Sequence, residues 1–352
     1  MSLTPAFPTN SWFNKQRSAV ALEWVLLLPK YNLLYVETPK AACTKIRTLL
    51  ILLNRGNDDP ELAEFLKKTK PSPYYHWEFG ITDNYNLSKT ELFKVFQESQ
   101  YFKFTFVRNP YDKLVSAYAN KIMASPSQNS YYQRVAKQIK AEINWNPSIK
   151  SSLFLKELNQ KIDIIFPKTR KTKSIERPKD SLQVKSDNLD YDYDLIANRI
   201  KQFYGKEPPI SPLSQIATKL KVWLLEYPDI DSIDLNQTPV SFEEFIKFIC
   251  NQNVENLDEH WQPQTFYMGY EFANYDFVGR VENFDQDIQY VFNQVKAPEF
   301  LYRHIKGKMN VTQKPETIFW TDELAEMVYE KYQSDFETFG YEKESYEFLN
   351  FK

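Results

Sequence analysis

Glycine is scarce in this chain, with seven in 352 residues, and none falls in Thr38-Pro-Lys-Ala-Ala-Cys-Thr44. A Walker-type phosphate loop needs glycines so that backbone N–H groups can close around the phosphates, and it ends in Gly-Lys-Ser/Thr. Here the lysine precedes the loop and the hydroxyl follows it, which argues against an ordinary ATPase or GTPase. Cysteine is nearly absent: Cys43 and Cys250 stand in unrelated contexts and give neither a disulfide framework nor zinc spacing. No metal is expected. An excess of one charge is also lacking, since 44 Lys and Arg face 46 Asp and Glu for a formal net charge of −2. Any basic site is therefore local, and nucleic acid is not an expected partner. No uncharged apolar run is long enough to span a bilayer. The polar start, broken by Pro5 and Pro8, reads as neither a signal peptide nor a membrane anchor. The expectation is a cytoplasmic protein; a peripheral membrane contact and the oligomeric state stay open.

What is present suffices for a core: 42% hydrophobic and 16% aromatic residues. The chain reads as one domain over 1–352 of the α/β class, a P-loop-like parallel sheet flanked by helices with a largely helical insertion. The first portion reads β-α-β-α: a strand near Tyr31–Thr38, a helix over Thr44–Leu53, a linker ending in Pro71-Ser-Pro73, a helix over Ser88–Ser99, and a strand over Tyr101–Val107. Within the first helix Ile46, Leu49, Leu50 and Leu53 form one apolar face. Residues 123–240 form the insertion, with helical stretches at Tyr131–Glu142 and Ile196–Phe203 and a charged segment from Pro167 to Asp194. That segment reads as a substrate-facing basic lid or a solvated loop. A helix Phe242–Cys250, a strand Phe277–Val281, a helix Asp285–Val295 and a helix Asp322–Phe339 follow.

Two strand ends carry the chemistry. After the first strand, Lys40, the hydroxyl of Thr44 and the free N–H groups of a helix N-terminus make a cradle for a phosphate-like anion. After the second, Asn109 is a good N-cap, Pro110 fits the first helical position and Asp112 suits the helix dipole. A helix should therefore start sharply and leave Arg108 at the strand end. Its guanidinium is then available to a phosphate or carboxylate ligand, or to a carboxylate at the edge of the core. Ser116, two turns on, adds a hydroxyl for the same ligand or packs within the fold. In an open α/β sheet, ligands gather at such carboxyl ends.

Together the two turns resemble a known family. Pro39-Lys-Ala-Ala-Cys-Thr44 is similar to the 5′-phosphosulfate loop of sulfotransferases that use 3′-phosphoadenosine 5′-phosphosulfate (PAPS). Phe106-Val-Arg-Asn-Pro-Tyr-Asp-Lys-Leu-Val-Ser-Ala-Tyr118 is similar to their 3′-phosphate motif. The closer likeness is to the carbohydrate branch, through Asn120-Lys121, Ser241-Phe-Glu-Glu-Phe245, Asp258-Glu-His-Trp-Gln-Pro-Gln264, Tyr275-Asp-Phe-Val-Gly-Arg-Val-Glu282 and Tyr332-Gln-Ser-Asp-Phe-Glu-Thr-Phe-Gly-Tyr341. The resemblance implies a PAPS-dependent enzyme acting on a carbohydrate or glycolipid hydroxyl, leaving adenosine 3′,5′-bisphosphate (PAP). It assigns Lys40 and the backbone of Ala41, Ala42, Cys43 and Thr44 to the 5′-phosphosulfate, with Arg47 assisting. Arg108 and Ser116 take the 3′-phosphate. Lys45 adds charge at the helix start or faces solvent. Arg303, Lys306 and Lys308 stand where the family closes over its donor, or form a surface loop. The positions often held by glycine are Ala41 and Ala42, tolerable only where neither needs a positive φ.

Transfer to a hydroxyl calls for a base, and histidine is the usual answer near neutral pH. The chain has three histidines, His76, His260 and His304. His76, in Tyr74-Tyr-His-Trp-Glu78, falls between the two phosphate motifs, where the resemblance implies a base; a histidine capping a strand beside Trp77 is the plainer reading. Glu78 is the reserve and Glu37 a weaker candidate. His260 lines the acceptor cleft or anchors a turn, and Trp261 with Phe266, Tyr267 and Tyr270 forms a sugar-stacking platform or belongs to the core. Two other readings stand beside the transferase: a kinase or NTPase-like phosphotransferase, and a non-catalytic glycan- or nucleotide-binding protein.

Overall fold

The computed structural model describes residues 25–69, 79–83, 95–96, 100–123, 130–144, 232–254, 257–270, 273–307 and 318–350. A five-stranded sheet runs β3-β1-β2-β4-β5, from β1 (Val25–Leu28), β2 (Leu33–Val36), β3 (Thr82–Asp83), β4 (Phe102–Val107) and β5 (Phe277–Arg280). The three strands β2, β4 and β5 are parallel, with Val36 beside Thr105 and Val107 beside Arg280. On the other side β1 is antiparallel to both β2 and β3. The α/β class stands, but the sheet is mixed where a parallel one was expected. Pro29-Lys-Tyr-Asn32 makes a tight reversal in which Asn32 adopts φ 47°, and that hairpin needs no crossover helix.

Strand periodicity decides which side chains face which layer. Leu26, Leu28, Leu33 and Tyr35 pack against α1 (Cys43–Arg55), α2 (Pro60–Thr69) and α7 (Phe284–Gln294). The alternate residues Val25, Leu27, Leu34 and Val36 meet Met268 and Phe339 on the opposite face. A separate helical core joins α3 (Pro110–Ala117), α4 (Ser130–Asn144), α5 (Phe242–Cys250) and α8 (Asp322–Phe339). The short α6 (Gln264–Tyr267) lies next to it in sequence order before β5, and α9 (Glu347–Asn350) ends the described chain.

The sequence signal for the start of α3 acts as expected. Asn109 caps α3 by accepting from the Tyr111 N–H at 3.0 Å, with Pro110 following. Ser241 and Glu244 form a reciprocal capping box at α5, each such cap stabilising a helix by about 1 kcal/mol. Glu244 also takes both contacts of the Lys140 ammonium, at 2.7 and 2.8 Å, which ties α4 to α5. Of the expected insertion, α4 is described; the helix at Ile196–Phe203 and the charged segment from Pro167 to Asp194 lie outside the described residues, as does most of Ser88–Ser99.

Candidate active site

Strands β2 and β4 are neighbours and parallel, so their carboxyl ends open on the same edge of the sheet. The Thr38 and Thr105 hydroxyls meet there at 3.1 Å. Beyond Thr38 the chain folds back on that residue's own carbonyl, which accepts from the Ala41 N–H at 3.1 Å and from the Cys43 thiol at 2.9 Å. Burial pushes the Cys43 thiol up to about 12, so it stays protonated and acts as a tie rather than a nucleophile.

This turn holds two non-glycine residues in the left-handed region, Lys40 at φ 69° and Ala42 at φ 62°. The condition that neither alanine needs a positive φ is therefore not met at Ala42. A left-handed alanine costs roughly 1–2 kcal/mol, and it sits where the turn delivers the chain into α1. Ala42 is the N-cap and has no side-chain oxygen to satisfy the helix. The N–H groups of Cys43 and Thr44 precede the first bonds of α1, which run from Lys45 and Ile46 to the Ala42 carbonyl, and so lie at the positive end of the helix dipole.

From β4, Arg108 reaches across to the same turn. Its Nη1 donates to the Lys40 carbonyl at 3.2 Å and its Nε to Asp112 at 2.6 Å. Asp112, Ser116 and Asn120 follow at four-residue spacing, the last within a π-helix over Tyr118–Met123. The Lys40 ammonium bonds Asn120 Oδ1 at 3.2 Å. Lys40 is thus held near both ends of that row, with the buried Ser116 between. Burial, and then repulsion from Lys121, Arg108 and Lys113, brings the Lys40 ammonium down to about 7. Lys113 is buried with its ammonium on the Gln262 carbonyl at 2.5 Å; burial lowers it to about 8 against the opposing pull of Asp335 and Asp258. Lys121 is lowered by burial too, and Asp258 and Glu259 oppose the shift.

The main chain at Arg108 is gripped from far along the sequence. Gln264 accepts from the Arg108 N–H at 2.9 Å and donates to the Arg108 carbonyl at 2.8 Å. Asp335 of α8, fully buried, holds Gln264 in turn, accepting from its N–H at 2.7 Å and from Thr265 N–H and Oγ1 at 2.8 and 2.7 Å. Glu282 receives the Asn109 N–H at 2.8 Å. None of these supports was read from sequence. Their only signal lay in the polar residues of the downstream segments quoted for the resemblance, which carry no mark of what they touch.

Other expected residues are placed elsewhere. Arg47 is buried and paired to Glu37 at 2.5 Å beneath the turn. It props the strand end, and Glu37 is engaged there instead of facing a ligand. Lys45 bonds the Gly307 carbonyl at 2.7 Å, lies 3.6 Å from Asp285 and covers the Phe284 ring. It tethers the loop after Glu299–His304 to the first turn of α1. Arg303 pairs with Asp58, beyond the far end of α1, so its guanidinium is directed away from the turn; α1 has 13 residues and spans about 20 Å. His304 neighbours Arg303, and Lys306 is exposed. His76, Glu78 and Lys308 lie outside the described residues. Trp261 is buried against Phe245 and Tyr132 in the helical core, where it supports the site instead of lining a cleft. His260 sits half-buried between Tyr132 and Asp258, near Lys121. Among the described residues there is no group of three or more His, Cys, Asp or Glu side chains able to hold a metal ion. Nor is any helix among them long and apolar enough to cross a membrane.

A model of the sulfotransferase family matches residues 25–173 and 213–342, more than half of the chain. The chain belongs to that family. It is similar to carbohydrate sulfotransferase 10 of Pongo abelii, 28% identical over 116 residues, which is 33% of this chain and 31% of that protein. Carbohydrate sulfotransferase 14 of Mus musculus is 28% identical over 107 residues, 29% of this chain and 28% of that one. Both matches span under a third of the relatives' length. Carbohydrate sulfotransferase 11 of Rattus norvegicus aligns over 354 residues at 22% identity, covering 98% of this chain and 75% of that protein. No solved structure matches.

Proposed function

We propose that this chain transfers a sulfuryl group from PAPS to a hydroxyl of a carbohydrate or glycolipid acceptor by in-line displacement. The observation that carries the reading is the meeting of Lys40 and Arg108 from two neighbouring strand ends, Arg108 Nη1 lying 3.2 Å from the Lys40 carbonyl, with the Lys40 ammonium lowered by burial and then by repulsion from Lys121, Arg108 and Lys113. Clustered cations in a half-buried turn are unfavourable until an anion joins them. A donor with a charged group at each end suits a site whose cations come from two neighbouring strand ends. The carbohydrate acceptor follows from the names of the relatives.

The residues present fit that donor. Lys40 and the N–H groups entering α1 would hold the 5′-phosphosulfate, and Arg108 with Ser116 the 3′-phosphate. PAPS supplies a sulfuryl group activated by a phosphate leaving group. Lys40 neutralises the charge that builds on the departing oxygen, the role such donors play in phosphoryl transfer. Asn120 fixes the Lys40 ammonium, and the Arg108 bond to the Lys40 carbonyl keeps the two halves of the site in register. Under this reading acceptor choice would fall to residues 123–240.

The test is protection against thermal unfolding. PAP should raise the melting temperature and ATP–Mg should not; equal or better protection by ATP–Mg would favour a phosphotransferase. Protection by PAP with no transfer of label from PAPS to any carbohydrate pool would favour a non-catalytic binder.

A further inference from the structure

His260 is linked to the cation group through Tyr132, whose ring carries the Lys121 ammonium, and the structure shows what holds it. Its Nδ1 is 2.7 Å from Asp258 Oδ1 and 3.1 Å from the Tyr132 hydroxyl. Its own N–H donates to the same Asp258 oxygen at 2.9 Å, and Glu259 approaches Nδ1 at 3.9 Å. The second Asp258 oxygen accepts from Tyr131 at 3.1 Å. On the far side of Tyr132 the Lys121 ammonium stands 4.6 Å from the ring centre. Asn120, the next residue, holds Lys40. A continuous run of contacts therefore links the cation that would meet the leaving group to an imidazole oriented by a carboxylate.

That orientation has a chemical consequence. A carboxylate on Nδ1 stabilises the tautomer with its proton there, leaving the Nε2 lone pair free to accept a proton. The same division of labour serves enzymes in which one carboxylate positions a histidine base. His304 is not so arranged: it stands beside Arg303, which pairs with Asp58 beyond the far end of α1.

We infer that His260, positioned by Asp258, is the base that takes the proton from the acceptor hydroxyl. The inference rests on the sulfuryl-transfer reading. As the acceptor oxygen forms its bond to sulfur, its proton passes to His260 Nε2. The bond from sulfur to the bridging oxygen breaks, and its electron pair leaves with PAP. The imidazolium then returns the proton to solvent. Asp258 is a positioning residue, acting through His260, and Glu259, Lys121, Tyr131 and Tyr132 set the charge around the ring.

The experiment uses the full chain and PAPS with water as the acceptor, following release of PAP across pH. His260→Ala and His260→Gln are compared with the unaltered chain, and PAP affinity is measured in each. The expected result is a loss of release of roughly 10²–10⁴-fold, loss of the acid limb of the pH profile, PAP affinity within about twofold, and partial rescue of His260→Ala by free imidazole. Asp258→Asn should keep the acid limb but displace it. Release at the unaltered rate with the acid limb intact would overturn the assignment. So would loss of PAP affinity in both His260 variants, which would mark the residue as structural. If the unaltered chain neither binds PAP nor releases it from PAPS, the transfer reading itself fails and the base with it.

Discussion

Arg108 Nη1 donates to the main-chain carbonyl of Lys40 at 3.2 Å, so the second phosphate motif is bonded directly to the backbone of the first. The contact leaves the Lys40 ammonium on the opposite task of meeting Asn120. Under the proposed function the two cations therefore have separable roles. Lys40→Ala should lower transfer by about 10²–10³-fold with a smaller effect on PAP affinity. Arg108→Ala should weaken PAP binding first. Titration calorimetry beside steady-state rates separates them, and the reverse pattern would exchange the two assignments.

Lys40 gives the site a pH dependence whose sign follows from its lowered value of about 7. Below that pH the ammonium is charged in both folded and unfolded chains, and the folded state bears the full penalty. As pH rises from about 7 towards the ordinary lysine range the folded chain has already released its proton, and the penalty fades. Lys40→Met should accordingly stabilise the unliganded protein more at pH 6 than at pH 9. A phosphate-bearing ligand restores the proton, so PAP affinity should fall as pH rises above 7, with proton uptake visible in calorimetry across buffers of different ionisation enthalpy. Equal affinity at pH 6.5 and 8.5 would contradict this.

The left-handed Ala42 predicts a stabilising substitution. Ala42→Gly should raise stability by about 1 kcal/mol, because glycine adopts this conformation without a Cβ clash. Ala42→Val should lower it. Urea unfolding of the three forms gives the order directly, and a destabilised glycine variant would show that the turn is not strained at this residue.

Gln264 brackets the N–H and the carbonyl of Arg108, so it should control how accurately the guanidinium meets its ligand. Gln264→Ala is expected to reduce PAP affinity by about tenfold, or 1.4 kcal/mol. Affinity for adenosine 5′-phosphate, which lacks the 3′-phosphate, should change little. Equal losses for the two nucleotides would mean that the clamp supports the fold alone.

Local chemistry was legible in the sequence and remote partnership was not. The α3 start at Asn109-Pro110 and the limits of Phe242–Cys250 and Asp322–Phe339 follow from capping residues and apolar spacing, which act within a turn or two. Strand β1 went unread because Val25-Leu-Leu-Leu28 is buried on both faces and shows no alternation. Ala42 gave no warning of its conformation, since alanine seldom adopts it. At the candidate site the sequence proposed Lys40, Arg108 and Ser116 but could not aim Arg47 or Arg303, whose carboxylate partners fix their directions. Glu37 and Asp58 are ordinary acids until the fold sets them opposite an arginine. The support under Arg108 joins residues 156 and 173 positions apart, a distance over which no periodicity reports.

Those same separations set an order for synthesis. The N-terminal turn and helix α1 leave the ribosome early, yet the backbone of Arg108 is secured only by Gln264, which is itself held by Asp335 of α8. A nascent chain stopped before α8 would carry both phosphate-facing motifs without the frame that sets their spacing. Ligand competence should therefore arrive late and all at once, with α8 acting as the keystone for residues made long before it.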